Sequence, residues 1–262
     1  MGVLQFDEAI KLLKLDVAVE YRNKHNPSGG LPYHHNQHMD FMLEDCINAY
    51  TYSLLDEVPS TVKVNYNALM FAAIFHDCDH SGGKLLDVHN VDKAIIFWKR
   101  FLDSEEGKTL RDRFGYRILK LSDVIVFLLR ATQYPYVVLE DTPEFKDLNK
   151  YQQNPSFLET ARVIRDADLM TIYHGDVGIN MVNWGIWEEM SVKGGVYEKA
   201  HGELTYNDFV VKQIEFTQNR VWNSAWGRRR ADLLDYPSVA KKVLANLETN
   251  RILFTYPDVA YD

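Results

Sequence analysis

The stretch Phe75-His76-Asp77-Cys78-Asp79-His80-Ser81-Gly82-Gly83 gathers four imidazole and carboxylate side chains into five consecutive residues, a composition suited to holding a divalent cation. Directly before it, Ala68-Leu69-Met70-Phe71-Ala72-Ala73-Ile74-Phe75 is apolar almost all round, the pattern of a buried helix rather than a surface one. The His-Asp pair therefore stands at the end of a core helix. A buried carboxylate beside buried imidazoles is unfavourable unless a cation or a hydrogen-bonded partner compensates it, and a metal does so directly. The structural alternative is a capping Asp with incidental histidines before a Gly-Gly turn.

Other residues of the right type lie far away in sequence. His34 and His38 are four apart, so a helix beginning near Pro32 would put them on one face, with His35 pointing elsewhere. Asp166 and Asp168 interrupt the apolar segment Ile164 to Leu169 and, two apart, cannot both face the core. Asp166 reads most simply as a surface partner of Arg162. Late in the chain, helical spacing puts Val210, Ile214 and Val221 on one stripe and Phe209, Gln213 and Phe216 on another. Two aromatics with an amide suit a slot for a planar base, and equally suit a wide core stripe with a surface Gln.

The elements that must carry these groups all read as helices. The periodicity predicts an opening helix from Phe6 to about Tyr21, a second from Met39 to about Leu55, the core helix ending at His76-Asp77, and another over Val88 to Leu102. Ser122 to Ala131 is β-branched enough for a strand, but without a comparable strand to pair with it is expected to be a buried helix. Gln133 to Asn154, marked by Pro135 and Pro143 and followed by Pro155, is expected to be a long loop suited to a mobile lid. Further helices are expected over Ser156 to Tyr173, Asp176 to Ser191, Thr205 to about Trp222 and Pro237 to about Leu253. With no internal repeat or low-complexity linker, the expectation is a single all-α domain over residues 1–262.

Composition agrees with a compact protein: 262 residues, 46% hydrophobic and 13% aromatic, can bury a sizeable core. No apolar run approaches the roughly 18 to 20 residues of a membrane span, and the start Met1 to Asp7 has no basic region leading into an apolar one, so a cytoplasmic protein without membrane contact is expected. Cys46 and Cys78 cannot make a disulfide framework or a zinc knuckle, which leaves metal binding to His and carboxylate. A net charge of −8 argues against long nucleic acid as the partner. The basic cluster Arg228-Arg229-Arg230 reads as a solvated patch near a helix end.

Taken in order, Tyr33-His34 to His38, His76-Asp77-Cys78-Asp79-His80-Ser81-Gly82 and Ala167-Asp168-Leu169 resemble the blocks of the HD superfamily of metal-dependent phosphohydrolases, most of all the cyclic nucleotide phosphodiesterase catalytic domain. The resemblance covers roughly residues 31 to 83 and 160 to 222, and implies an all-helical bundle. It implies that His38, His76, Asp77 and Asp168 ligate a first metal, and that Asp77 also reaches a second. The cofactors would be two divalent ions, Zn, Mg or Mn, with Fe possible, which share a hydroxide that attacks phosphorus. By the same resemblance His34 protonates the leaving alkoxide, while Asp79 and His80 orient ligands and water from outside. His80 as a direct ligand of the second metal, as in other HD enzymes, is the alternative, and His89 is a further candidate. Tyr33, Gln213 and Phe216 would contact the substrate, Gln213 fixing its base and Phe216 stacking on it.

The departures from the family bear on the substrate. His35 stands where an Asn usually follows Tyr-His, Ser81 replaces a Pro, and Gln133 replaces the Asp of an Ala-Thr-Asp. The acidic residue that follows the block has only Asp87, His89, Asn90 and Asp92 as candidates. The expected activity is hydrolysis of a cyclic nucleotide, or a related cyclic or short oligonucleotide, to a phosphomonoester. The rivals are a nucleotidase or dNTP triphosphohydrolase, an iron-dependent HD oxygenase, and a non-catalytic nucleotide-binding module.

Overall fold

The computed structural model describes residues 15–55, 64–115, 117–136, 138–148 and 156–255. Among these there is no strand. The helices are α1 (Asp16–His25), α2 (Asn36–Ser53), α3 (Tyr66–Phe75), α4 (Asp87–Asp103), α5 (Glu105–Phe114), α6 (Arg117–Ala131), α7 (Pro143–Leu148), α8 (Ser156–Leu169), α9 (Gly175–Asn180), α10 (Ile186–Met190), α11 (Val196–His201), α12 (Tyr206–Gln218), α13 (Ala225–Leu233) and α14 (Tyr236–Thr255). Short 3-10 turns cover Leu139–Asp141 and Met170–Tyr173, and one π turn, Met181–Gly185, joins α9 to α10.

The bundle is built around α3. Asn65 caps it, its side chain accepting from the Ala68 N–H at 3.1 Å, and every residue from Ala68 to Phe75 is buried. A helix apolar on all sides needs neighbours on all sides: α2 and α6 flank α3, and α1, α4 and α8 close round it. Each large side chain buried this way contributes about 1.5 to 3 kcal/mol. A second apolar cluster, including Tyr33, Ile172, Val182, Phe209, Val243 and Leu247, is formed mainly by the C-terminal half. Tyr173 packs against both clusters, and the candidate site lies where they meet.

Several expectations change. The opening helix begins before residue 15 on the sequence reading, and that part lies outside the described residues; the described part, α1, runs on to His25. The segment Ser122 to Ala131 is helical and extends back to Arg117. The expected loop over 133–154 is not featureless: it holds a 3-10 turn and α7, with Leu139, Phe145 and Leu148 buried in the main core. Those three anchors argue against a lid over their span; residues 149–154 lie outside the described set. The helix expected to run to Trp222 ends at Gln218 instead, with Asn219 as its C-cap. Helices α5, α11 and α13 were not expected. No described helix is long and apolar enough to cross a membrane, and Cys46 and Cys78 are buried free thiols.

Candidate metal centre

Four side chains from three helices converge at the end of α3. His76 is its C-cap and Asp77 follows in the turn; His38 lies in the first turn of α2, and Asp168 near the end of α8. His38 Nε2 is 3.1 Å from Asp168 Oδ1, 3.2 Å from Asp77 Oδ2 and 3.2 Å from His76 Nε2. His76 Nε2 is 3.0 Å from Asp77 Oδ2 and 3.8 Å from Asp168 Oδ1. The outer nitrogens are already committed. His76 Nδ1 donates to the Ala73 carbonyl at 3.0 Å, and His38 Nδ1 meets the Thr171 hydroxyl at 3.0 Å, which itself points at the Asp168 carbonyl. Both Nε2 lone pairs are thereby turned inward, toward two carboxylate oxygens. Four acceptors aimed at one point require a positive charge among them.

The electrostatics say the same. Burial lowers the basicity of His38, but its contacts with Asp168 and Asp77 prevail and raise it to about 9. Asp77 is held well below the usual carboxylate range: burial pushes it up, and the imidazoles of His76, His34 and His38 outweigh that. The cluster takes up a proton where a cation would otherwise sit. His38, His76, Asp77 and Asp168 could hold a metal ion, and a second group that could do so, His34, Asp77 and His80, shares Asp77 with it.

In the second group His34 does not lie on α2. The helix starts at Asn36, His35 is its extended N-cap, and the His35 ring accepts from the Gln37 N–H at 3.1 Å. His34 therefore shares no helix face with His38, yet its ring comes within 6.2 Å of the His38 ring. Its position is set by Glu189 of α10, whose Oε1 accepts from the Tyr33 and His34 N–H groups at 2.7 and 2.9 Å while Oε2 takes His34 Nδ1 at 2.5 Å. Burial lowers the basicity of His34, but Asp77 and Glu189 prevail and raise it above its ordinary value. Two glycines let α10 come this close. A Cβ on Gly83, whose φ is +77°, would stand 1.9 Å from the Glu189 carbonyl, and one on Gly185 would stand 2.6 Å from the Pro32 carbonyl.

His80 stacks on His34 with centroids 3.5 Å apart. Its Nδ1 accepts from the Gly82 N–H at 3.1 Å, and its Nε2 lies 2.9 Å from the Asn90 amide. Burial, then the nearby His34, lowers its basicity to about 3, so a neutral ring supports His34 without repelling its charge. Asp79 turns away from the cluster to Lys93 at 3.0 Å, on a backbone with φ of 62°. Its N–H donates to Asn26, and Ser28 Oγ donates to the Asp77 carbonyl at 3.1 Å, so the turn carrying Asp77 is anchored from the loop after α1. His89, exposed on α4 and 3.8 Å from Asp92, belongs to neither group.

Beside the cluster lies a cavity of about 360 Å³ whose walls include Tyr134, Tyr136, Leu169, Phe216 and Arg220. Tyr33 is buried under the imidazoles, its ring 4.5 Å from that of His38. Gln213 is also buried, its amide 3.4 Å from the Val182 carbonyl, and it is not one of the cavity's lining residues. Asp87, the first residue of α4, accepts from the Tyr134 N–H at 2.5 Å. Burial, and then the charges of Asp77 and Asp168, raise it to about 6.

Asp166 is not a surface partner of Arg162. It is fully buried and accepts from the backbone and side chains of both Asn223 and Ser224, at 2.6 to 2.9 Å. The basic cluster is only partly solvated: Arg228 and Arg229 are exposed, whereas Arg230 turns inward to 3.8 Å from Asp45. Sequence reasoning missed Glu189, Thr171 and Arg220; only Arg220, in the aromatic setting Phe216 to Trp222, had a local signal. No family model matches the chain and no curated protein matches it significantly.

Proposed function

We propose that the protein is a metal-dependent phosphodiesterase acting on a cyclic nucleotide or a related small nucleotide diester. The observation that carries this reading is that Asp77 is common to two ligand groups, with a carboxylate-backed imidazole, His34, in the second. His38, His76, Asp77 and Asp168 would hold the first ion, and Asp77 would reach the second. Divalent ions at such a pair of sites lower the pKa of water and neutralise charge on phosphoryl oxygens.

The chain's own groups do the rest. Glu189 Oε2 keeps the proton on His34 Nδ1, so the protonated ring offers its Nε2 proton to the departing alkoxide and remains neutral with Nδ1–H intact. His80, neutral and stacked, limits the tilt of that ring. Phe216 and Tyr134, edge-to-face at 6.2 Å, line the adjacent cavity and give it an aromatic wall suited to a base.

The test is a product assay of metal-stripped protein reloaded with Mg, Mn, Zn or Fe, run on cyclic mononucleotides, dinucleotides and dNTPs. Release of a phosphomonoester from a diester is expected; release of triphosphate from a dNTP would reassign the enzyme, and no turnover with any metal would refute it. His34→Ala is expected to keep its metal and lose about 100- to 10,000-fold in kcat, whereas Asp77→Ala loses both. Equal metal loss in the two variants would make His34 a ligand rather than the acid.

A further inference from the structure

Arg220 is a cation placed beside the candidate site without an anion of its own. Its Nη1 donates to the Leu169 carbonyl at 2.9 Å, next to the ligand Asp168, and its guanidinium lies over the Phe216 ring at 4.7 Å and near the Trp222 ring at 5.8 Å. Its Nε is buried and has no hydrogen-bond partner. Among the described residues no carboxylate oxygen lies within 4.0 Å of it. Arg22, Arg130 and Arg230 face carboxylates, Asp40, Asp92 with Glu144, and Asp45 in turn, while the buried Arg165 holds the Ala131 carbonyl through Nε and lies over the Tyr136 ring. Arg220 instead lines the 360 Å³ cavity with Tyr134, Tyr136 and Phe216, a volume in the usual range of small-ligand sites. No cluster side chain lines the cavity, but its walls are tied to the cluster's surroundings. Leu169 follows Asp168 in the chain, Tyr134 is bonded to Asp87, and Tyr136 feels the charges of both Asp168 and Arg220.

With Nη1 on the Leu169 carbonyl, the Nε–Nη2 edge is left unpaired though its Nε is buried, and a phosphate brought against that edge takes two parallel hydrogen bonds. The scissile phosphate belongs at the His-Asp cluster. A cyclic mononucleotide has no other phosphate to offer. We propose that Arg220 binds a second, non-scissile phosphate, with a base held in the cavity that Tyr134, Tyr136 and Phe216 line, so that the preferred substrates are dinucleotides rather than cyclic mononucleotides. This inference rests on the phosphodiesterase reading above.

The test compares the wild type with Arg220→Gln, which retains a donor for the Leu169 carbonyl, and with Arg220→Ala. Each is assayed with metal on cyclic diadenylate, on the linear dinucleotide pApA and on 3′,5′-cyclic AMP. Metal content is measured on the same preparations, and binding of both dinucleotides to metal-stripped protein is measured by calorimetry. The wild type is expected to prefer one or both dinucleotides, the two arms separating a cyclic from a linear source of the second phosphate. Both variants are expected to lower the dinucleotide to cyclic AMP ratio of kcat/KM by about 10- to 100-fold, mainly through KM, with a parallel loss in calorimetric affinity. An unchanged ratio, or a fall in metal content that accounts for the loss, would overturn the proposal. If the wild type cleaves nothing with any metal, the phosphodiesterase reading fails by itself. Calorimetry then decides Arg220: weaker dinucleotide binding in Arg220→Gln supports the second-phosphate site, and equal or absent binding overturns it.

Discussion

Asp166 and Asp168 lie two residues apart on α8 and have opposite surroundings. Asp166 is fully buried and faces only donors: the N–H groups of Asn223 and Ser224, the Asn223 amide and the Ser224 hydroxyl. Asp168 is partly open and faces the inward-turned Nε2 atoms of His38 and His76, at 3.1 and 3.8 Å. A carboxylate ringed by donors has its charge satisfied by the fold, and it fastens the loop before α13 to α8. One facing inward-turned ring nitrogens is balanced only by a proton held on His38, which a cation can replace. The same residue type on the same helix is thus a structural rivet in one place and a metal ligand candidate in the other, and the difference lies in the polarity of the partners rather than in depth of burial.

The sharpest way to break this comparison is to remove each carboxylate in turn. Asp166→Ala leaves four donors without an acceptor, and a loss of about 3 to 5 kcal/mol of unfolding free energy is expected, with metal content per folded chain unaltered. Asp168→Ala is expected to abolish metal binding and turnover. Above pH 9, where His38 has lost its proton, it should change the stability of the chelator-treated protein by under about 1 kcal/mol, since it removes one of several mutually repelling acceptors. Urea unfolding with metal analysis reads both. The opposite pattern would show that donors and acceptors have been assigned the wrong way round.

How much of this was visible beforehand differs by residue. His76-Asp77 stood out because a helix apolar all round ended in ionisable groups, and burial of such groups is legible from pattern alone. The approach of His34 to His38 could be read, but not its cause: a helix face was expected, whereas a carboxylate from α10 does the positioning. Glu189 was illegible because Trp187-Glu188-Glu189-Met190 contains nothing local that favours it over Glu188; the choice is made by the close approaches of Gly83 and Gly185. Asp166 was misread because partners more than fifty residues away, Asn223 and Ser224, are invisible to local spacing. Leu139, Phe145 and Leu148 are likewise three core anchors with no sustained period around them.

Glu189 carries the next largest expected effect. In the proposed reaction His34 must be protonated to act, so activity is expected to fall as pH rises through the pKa of His34, which the Glu189 contact helps hold up. Glu189→Gln is expected to lower kcat about 10- to 100-fold and to move the alkaline limb of the pH profile to lower pH. A limb that stays in place would assign it to another group. A smaller signal comes from metal binding itself. With His38 raised to about 9 in the metal-free protein, its site is protonated at pH 7, and loading the first ion must expel that proton. About one proton released per first metal bound is expected in weakly buffered indicator dye at pH 7, falling toward zero above pH 9. Proton release in the Asp166→Ala protein should match the wild type, because that carboxylate takes no part in the exchange.

The smallest effect belongs to Gln213, where the contrast between donor-satisfied and ligand-facing groups can be pressed onto the substrate side. Its amide sits under α12, buried, 3.4 Å from the Val182 carbonyl, while Phe216 one turn on faces the cavity. If the amide is committed to the fold, as Asp166 is, Gln213→Ala loses about 1 kcal/mol of stability and leaves the ratio of adenine to guanine substrates unchanged. Phe216→Ala should then carry the larger loss in KM, because a base stacked on an aromatic face is worth about 1 to 3 kcal/mol. A change in base ratio in Gln213→Ala would place the amide with the ligand-facing groups instead, and would mean that the side chain leaves Val182 when substrate enters.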